Sequence, residues 1–335
     1  MNRSVTLDQL PAPPDGKTGW PWTEASTPLP ANLPNGSPWP RISVVTPSYN
    51  QGQFLEETLR SILLQGYPNL EYIVIDGGSR DESVEIIQRY APYLSHWVSE
   101  PDRGQSHALN KGIEQATGQF FTFVNSDDCL TANALARVAD YFIRYPATAF
   151  LSGGVVQVDH NGKLLREISG FPAFTWEDLV MTRTYLPQLG TFWRTENFEV
   201  VGKFRQDLHF FFDQEFFIRM LMNYSMTTID GVFAIARFHS AAKSYSSNLS
   251  YSREKHDVLL NFLPKVQENP FAKWIAYRLI KLSYLLDRVA MDQHSNLWRK
   301  VMFLLKTPIV WTSPTCIRRV LLGDNQHAPI RGING

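Results

Sequence analysis

Gln119-Phe120-Phe121-Thr122-Phe123-Val124 runs directly into Asn125-Ser126-Asp127-Asp128. The first six residues are apolar, aromatic and β-branched, the composition of a short buried strand. The next four carry oxygen-bearing side chains, which contribute little to packing at a strand's end. In an open α/β sheet, ligands bind at the C-terminal ends of the strands. Carboxylates gathered there suit a hard divalent cation that also touches substrate phosphates. The same four residues could instead form a polar turn before the next helix, for which Thr131 is a fair N-cap. The flanking sequence weighs between the two.

Toward the N-terminus the chain alternates. Residues 42–46 read as a strand ending at Pro47. Phe54, Leu55, Thr58, Leu59, Ile62 and Leu63 then recur at helical spacing, with Gly66 and Pro68 as stops. Residues 72–75 form a second strand that enters Asp76-Gly77-Gly78-Ser79. Ser79 and Glu82 carry a capping-box signature for a helix with Val84, Ile87 and Tyr90 on its apolar side. His96-Trp97-Val98 is a short third strand. Ala108, Leu109, Gly112, Ile113 and Ala116 mark a helix closed by Gly118. Strands separated by helices of this length predict a parallel, right-handed βαβ sheet.

Beyond about residue 147 the alternation breaks. The pattern predicts a hairpin over 155–168 around Asn161-Gly162. A helix near 175–181 and a strand near 188–193 follow, then a helix carrying Phe211, Asp213, Glu215 and Arg219, and a strand near 227–238. There is no internal repeat. The domain reading is an extended arm over 1–40, a catalytic α/β domain over 41–245 and a helical extension over 246–335. The arm is rich in Pro, Gly, Ser and Thr, and its Trp20 and Trp22 are expected to dock it on the body, since burying a large side chain is worth roughly 1.5–3 kcal/mol.

The chain has 335 residues, 44% of them hydrophobic, enough for a sizeable core. Lys+Arg and Asp+Glu both number 32, and zero formal charge argues against a general nucleic-acid partner. Cys129 and Cys316 are too few for a disulfide scaffold or a cysteine-rich zinc site, which fits a reducing compartment. No apolar run has the length of a signal peptide core or a bilayer span, so the expected location is the cytoplasm.

Three loops are expected to share one cleft at the sheet's C-terminal edge: Thr46-Pro47-Ser48-Tyr49-Asn50, Asp76-Gly77-Gly78-Ser79-Arg80-Asp81 and Asn125 to Asp128. The glycine pair lets backbone approach a ligand, and Asp76 offers an acceptor for a base or ribose donor. Neither phosphate-cradling glycine motif is present, so a nucleotide here would need a metal to neutralise its phosphates.

These motifs, with Asn110-Lys111-Gly112-Ile113 and Gly118 between them, resemble family 2 glycosyltransferases over roughly residues 41–245. The resemblance implies a GT-A fold: a Rossmann-like, mostly parallel sheet with flanking helices. It also implies inverting, non-processive transfer of a sugar from a nucleoside-diphosphate donor to an acceptor hydroxyl, assisted by Mg²⁺ or Mn²⁺. The acceptor would be a saccharide or lipid-linked saccharide, in glycan, lipid-linked glycan or cell-surface polysaccharide assembly. Carried over by position, Pro47, Tyr49, Asn50, Asp76, Gly78, Asp102, Lys111, Asn125 and Ser126 fall in the donor site, with Asp76 toward the base. Asn125-Ser126-Asp127 occupies the place of the family's Asp-x-Asp motif. The first acid is Asn here, so Asp127 is expected to be the main metal ligand, and His239 could complete the metal shell or bind diphosphate with Lys243.

Phe212-Asp213-Gln214-Glu215 resembles the family's acidic helix start, which makes Asp213 the expected general base; acids that merely complement the helix macrodipole are the alternative. Glu215 lies four residues before Arg219 and is expected to pair with it. Lys273, Trp274, Arg278, Lys281 and Arg288, then Trp298, Arg299, Lys300 and Lys306, mix aromatics with cations. Such a pattern can lie peripherally in a bilayer interface, and can equally be a helical extension with a solvated basic face. A processive synthase would add membrane spans and a Gln-x-x-Arg-Trp motif, which are missing, and the motif order does not resemble a nucleotidyltransferase. The remaining alternative is a nucleotide-sugar-binding protein without turnover.

Overall fold

A computed structural model describes residues 4–170, 172–239 and 249–291, with 285–291 as backbone only. Lys243, Cys316, the Trp298–Lys306 cations and the side chain of Arg288 lie outside the described residues. Two compact units are present. One takes in Met1–Thr175 and Leu186–His239, the other Trp176–Tyr185 and the chain beyond His239.

The first unit opens with β1 (Ile42–Ser48), α1 (Gly52–Leu63), β2 (Leu70–Asp76), α2 (Ser83–Tyr90), β3 (His96–Ser99), α3 (Gln105–Gln115) and β4 (Phe120–Phe123). These four strands are mutually parallel in the order β3-β2-β1-β4, as the alternation predicts. All seven residues of β1 are buried, the mark of a strand covered on both faces. β1 continues through Pro47 and Ser48, past its expected end. Val45 accepts from Val124 N on the β4 side and Ser48 accepts from Gly77 N on the β2 side, so by alternation Pro47 nitrogen faces β4. Pairing with β4 has already stopped at Val45–Phe123, and the missing N–H leaves no gap in the ladder.

The sheet then changes character. β5 (Cys129–Leu130) and α4 (Ala134–Arg144) lead to β6 (Phe150–Asp159) and β7 (Leu164–Ile168), the expected hairpin, with Gly162 at φ +84°. α5 (Trp176–Val180) belongs to the second unit. β8 (Thr191–Arg194), α6 (Asn197–Val201), α7 (Phe212–Asn223) and β9 (Met226–Phe238) complete the first unit. β8 is antiparallel to both β4 and β6, β9 is parallel to β6, and β5 is antiparallel to β9.

Two expected caps are replaced. α2 begins at Ser83, because Ser79 turns back to Asp76 and the Asp81 carboxylate accepts from Ser83 N instead. α4 begins after a left-handed Asn133, while Thr131 Oγ1 donates to Val232 O of β9. At α2 the competing acceptor is local, three residues back, and at α4 it is tertiary.

The N-terminal arm is irregular, with a 3-10 turn at Leu7–Gln9 and hydrogen-bonded turns from Pro14 to Lys17, Gly19 to Thr23 and Leu33 to Gly36, and it belongs to the first unit. Trp22 is buried, and Trp20 Nε1 donates to Leu130 O. The anchor is Arg60 of α1, only 1% exposed, whose guanidinium donates to the carbonyls of Pro11, Pro21 and Trp22 and to Tyr90 Oη.

In the second unit α8 (Leu249–Phe262) packs against α9 (Pro270–Met291), and Arg183 bridges Asp178 and Glu268. Among the described residues no helix is long and apolar enough to cross a membrane.

Candidate active site at the C-terminal edge of the parallel strands

Register brings the strand ends level: Ser48 pairs with Asp76, and Asp76 with Ser99. The loops that follow are therefore neighbours. Asn50, at φ +51°, ties the first to the second, its backbone N donating to Ser79 Oγ and its Oδ1 accepting from Arg80 N. Tyr49 stands out at 61% exposure.

Asp76 is turned into its own loop. It is fully buried, and its carboxylate accepts from Gly78 N, Ser79 N, Ser79 Oγ and Ser99 Oγ at 2.5–3.1 Å. Its work is to fold the second loop and tie it to β3. The close approach made possible by the glycines is likewise to protein. A methyl on Gly78 would lie 3.3 Å from Pro101 N. One on Gly77 would lie 2.7 Å from Asp102 Oδ2 and 3.3 Å from the Tyr49 ring. Gly77 is thus the space in which Asp102 and Tyr49 meet. Asp102 Oδ1 is fixed by Gly104 N at 2.7 Å, at the start of α3. Lys111, expected at the donor, donates to Glu100 at 2.8 Å.

The acidic loop is held from three sides. Thr58 of α1 donates to the carbonyls of Ser126 and Asp128, and Ser126 is buried. Asn125 Nδ2 donates to Asp128 Oδ2, while its Oδ1 accepts from Gln105 Nε2 at 2.6 Å. The amide oxygen of Asn125, a residue expected in the donor site, is therefore engaged by α3. Asp128 also accepts from Arg237 N. Burial first, and the neighbouring Asp127 charge second, push its carboxyl well above the usual carboxylate range.

Asp127 is different: its side chain keeps 16% exposure, and Oδ2 lies 3.0 Å from His239 Nε2. The β5–β9 pairing sets this up, since Cys129 opposite Ile235 brings residue 127 level with 237. Phe54 completes the support, with the Arg237 guanidinium 5.0 Å and the His239 ring 4.5 Å from its centroid. Arg237 also pairs with Glu57 at 2.9 Å and donates to Asp127 O. A carboxylate and an imidazole side by side are hard and borderline donors that suit Mg²⁺ or Mn²⁺, which take their remaining ligands from water and substrate phosphate. Among the described residues no three His, Cys, Asp or Glu side chains form a closed metal cage.

The start of α7 is carried to the same edge by the loop before it. Asn110 of α3 exchanges two hydrogen bonds with the backbone of Phe204, Ser106 Oγ donates to Leu208 O, and Phe212 packs its ring 6.4 Å from that of Phe123. Asp213, partly exposed, sits in the first turn. Glu215 is 3% exposed and takes both Arg219 Nε and Nη2 at 2.8–2.9 Å, the expected pair. Arg219 goes on to the carbonyls of Val201, Gly202 and Lys203, so this pair braces the loop after α6.

Sequence reasoning did not single out Arg237, Gln105, Glu57 or Ser99. Each acts across the fold, and only Arg237 left a local trace, two residues before His239.

Residues 43–220 match the family Glycosyl transferase family 2. A PGL/p-HBAD biosynthesis glycosyltransferase of Mycobacterium bovis is 30% identical over 193 residues, 56% of this chain and 73% of that protein. Among solved structures, Staphylococcus aureus TarS 1–349 in complex with UDP superposes with a TM-score of 0.56 at 16% identity, covering 88% of this chain and 95% of that one. The mannosyltransferase PcManGT of Pyrobaculum calidifontis, in complex with GDP-Man and Mn²⁺, gives 0.52 at 19% identity, covering 85% of each chain.

Proposed function

The chain belongs to glycosyl transferase family 2 and is a glycosyltransferase of GT-A fold, and from that premise we propose how its residues divide the work of moving a sugar from a nucleoside diphosphate to an acceptor hydroxyl in glycan assembly. The observation that carries the assignment is the pairing of Asp127, in the loop after β4, with His239, with the exposed Tyr49 ring and the Asp102 carboxylate side by side at Gly77 in the loops after β1 and β3.

Tyr49 stacks on the nucleobase, a contact worth about 1–3 kcal/mol per base. Asp102 Oδ2 accepts from a base or ribose donor. Asp76, Asn50 and Gly78 shape the loops that present these two, and Pro47 ends the strand beneath them. Asp127 and His239 would hold Mg²⁺ or Mn²⁺, and Asn125, Ser126 and Asp128 keep the Asp127 loop in place. Such a cation, when bound, offsets negative charge on the diphosphate oxygens.

Asp213 is the general base. The acceptor oxygen forms a bond to the anomeric carbon from the face opposite the diphosphate, its proton passes to the Asp213 carboxylate, and the bond to the diphosphate oxygen breaks with its electron pair. No protein nucleophile is needed, and the anomeric centre inverts. Saccharide or lipid-linked saccharide is the acceptor class.

The test is sugar release and transfer from a panel of UDP-, GDP- and dTDP-sugars, with Mn²⁺ and with EDTA. Turnover of one donor class that collapses in EDTA supports the assignment. Undiminished transfer in EDTA removes the cation from it.

A further inference from the structure

Helix α9 presents an exposed stripe that the glycosyl transfer chemistry does not use. Phe271, Trp274 and Tyr277 are 69%, 47% and 38% exposed, and Arg278 and Lys281 are exposed beside them. At 100° per residue these five side chains fall within an arc of about 120°. The rest of the helix is occupied, with Ala276 and Ile280 buried opposite, Leu282 buried one turn past Arg278, and α8 packed against α9. Three large rings in a row are not a scattering of surface apolars, and a contiguous patch of this kind marks a contact.

The cations belong to the same surface. The Arg278 guanidinium lies 5.3 Å from the Trp274 ring centroid, and Lys281 Nζ lies 4.5 Å from that of Tyr277. Residues 270–284 contain no Asp or Glu. In a chain of zero formal charge this is a local concentration of positive charge. Trp and Tyr combine an apolar body with a polar tip, and Lys and Arg stems can lie along apolar matter with their heads in water. That combination matches the boundary between headgroups and acyl chains, where each nearby cation adds about 1 kcal/mol on an anionic leaflet. No described helix can cross a bilayer, so this one would lie along its surface.

We infer that the Phe271–Trp274–Tyr277–Arg278–Lys281 stripe docks the protein on anionic phospholipid bilayers. The inference is independent of the donor site.

Flotation of the full chain with phosphatidylcholine vesicles, with and without phosphatidylglycerol, tests it. The protein should float with the anionic vesicles only, and less as salt rises. Two variants probe the two halves of the stripe: F271A/W274A/Y277A and R278E/K281E. Each should lower the partition coefficient about tenfold or more, with thermal melting and nucleotide affinity unchanged. Failure to float, equal binding to neutral vesicles, or both folded variants floating like the parent would overturn the inference, the first of these assigning the stripe to a protein contact.

Discussion

His239 Nε2 lies 3.0 Å from Asp127 Oδ2, although 112 residues separate them. Both side chains rest on elements that are themselves fixed, the one against Phe54 and the other on a loop tied by Arg237 and Thr58. Replacing Asp127 with Ala should lower transfer by about 10²–10³, the span for removing one electrostatic contact at a reacting group, while the melting curve stays in place. His239→Ala should act in the same direction and shift the Mn²⁺ concentration needed for half-maximal rate upward. Titrating Mn²⁺ into both variants checks this, and an unchanged Mn²⁺ requirement in each would remove the pair from the cation site.

Gly77 and Asp102 share one space. Gly77→Ala places a methyl 2.7 Å from the present position of Asp102 Oδ2 and should push that carboxylate aside. Asp102→Ala removes it. Each should weaken nucleoside diphosphate binding about tenfold, the loss of roughly 1.4 kcal/mol. Because both act on one group, the double variant should bind no worse than the weaker single one. Calorimetry with the free nucleotide measures all three, and additive losses would separate the two residues.

Asp213 and Glu215 should part company under substitution. Asp213→Asn should reduce turnover by about 10²–10⁴ with donor affinity intact, as for a lost general base. Glu215→Gln weakens the grip on Arg219 and should instead cost about 1.5–3 kcal/mol of stability, the worth of hydrogen bonds to a charged group. Steady-state kinetics beside urea melts distinguish them. A dead Glu215→Gln with an active Asp213→Asn would reverse the roles.

Acid should cost the fold the stability that Glu71 contributes. Burial alone would raise its carboxyl, but donors from Ser43 Oγ, Thr117 Oγ1 and Thr117 N at 2.5–2.7 Å, with Arg41 nearby, bring it below the ordinary value of 4.5. A folded pKa below the unfolded one contributes stability above the unfolded pKa and loses it as pH falls through the folded pKa. Glu71→Gln should therefore be less stable than the parent near neutrality, with a flatter loss from pH about 6 to about 3. Urea midpoints across that range report it, and parallel curves would mean that Glu71 titrates alike folded and unfolded.

The parallel half of the sheet was readable because its signals are local. Apolar spacing in α1 and α3, and short β-branched runs at β1 and β2, need no distant partner to be recognised. The orientation of polar groups was not. Asp76 ahead of two glycines reads the same whether it meets a ligand or its own loop, and Ser99, which helps to turn it inward, is 23 residues away. Lys111 finds Glu100, and the Asn125 oxygen finds Gln105, for the same reason. His239 after a strand carried no local sign of Asp127, because the β5–β9 register that joins them is a property of the closed sheet.

Arg60 gives the N-terminal arm a standing that its loose composition conceals. A guanidinium with 1% exposure has three of its acceptors on residues 11–22 and a fourth on Tyr90. Without the arm water would have to replace those carbonyls, and hydrogen bonds to a charged group are worth about 1.5–3 kcal/mol, a large part of a domain's margin. The arm emerges from the ribosome before α1 exists and can be captured only once that helix presents its arginine. It is therefore a clasp on α1, and its release would strip Arg60 of three of its four acceptors.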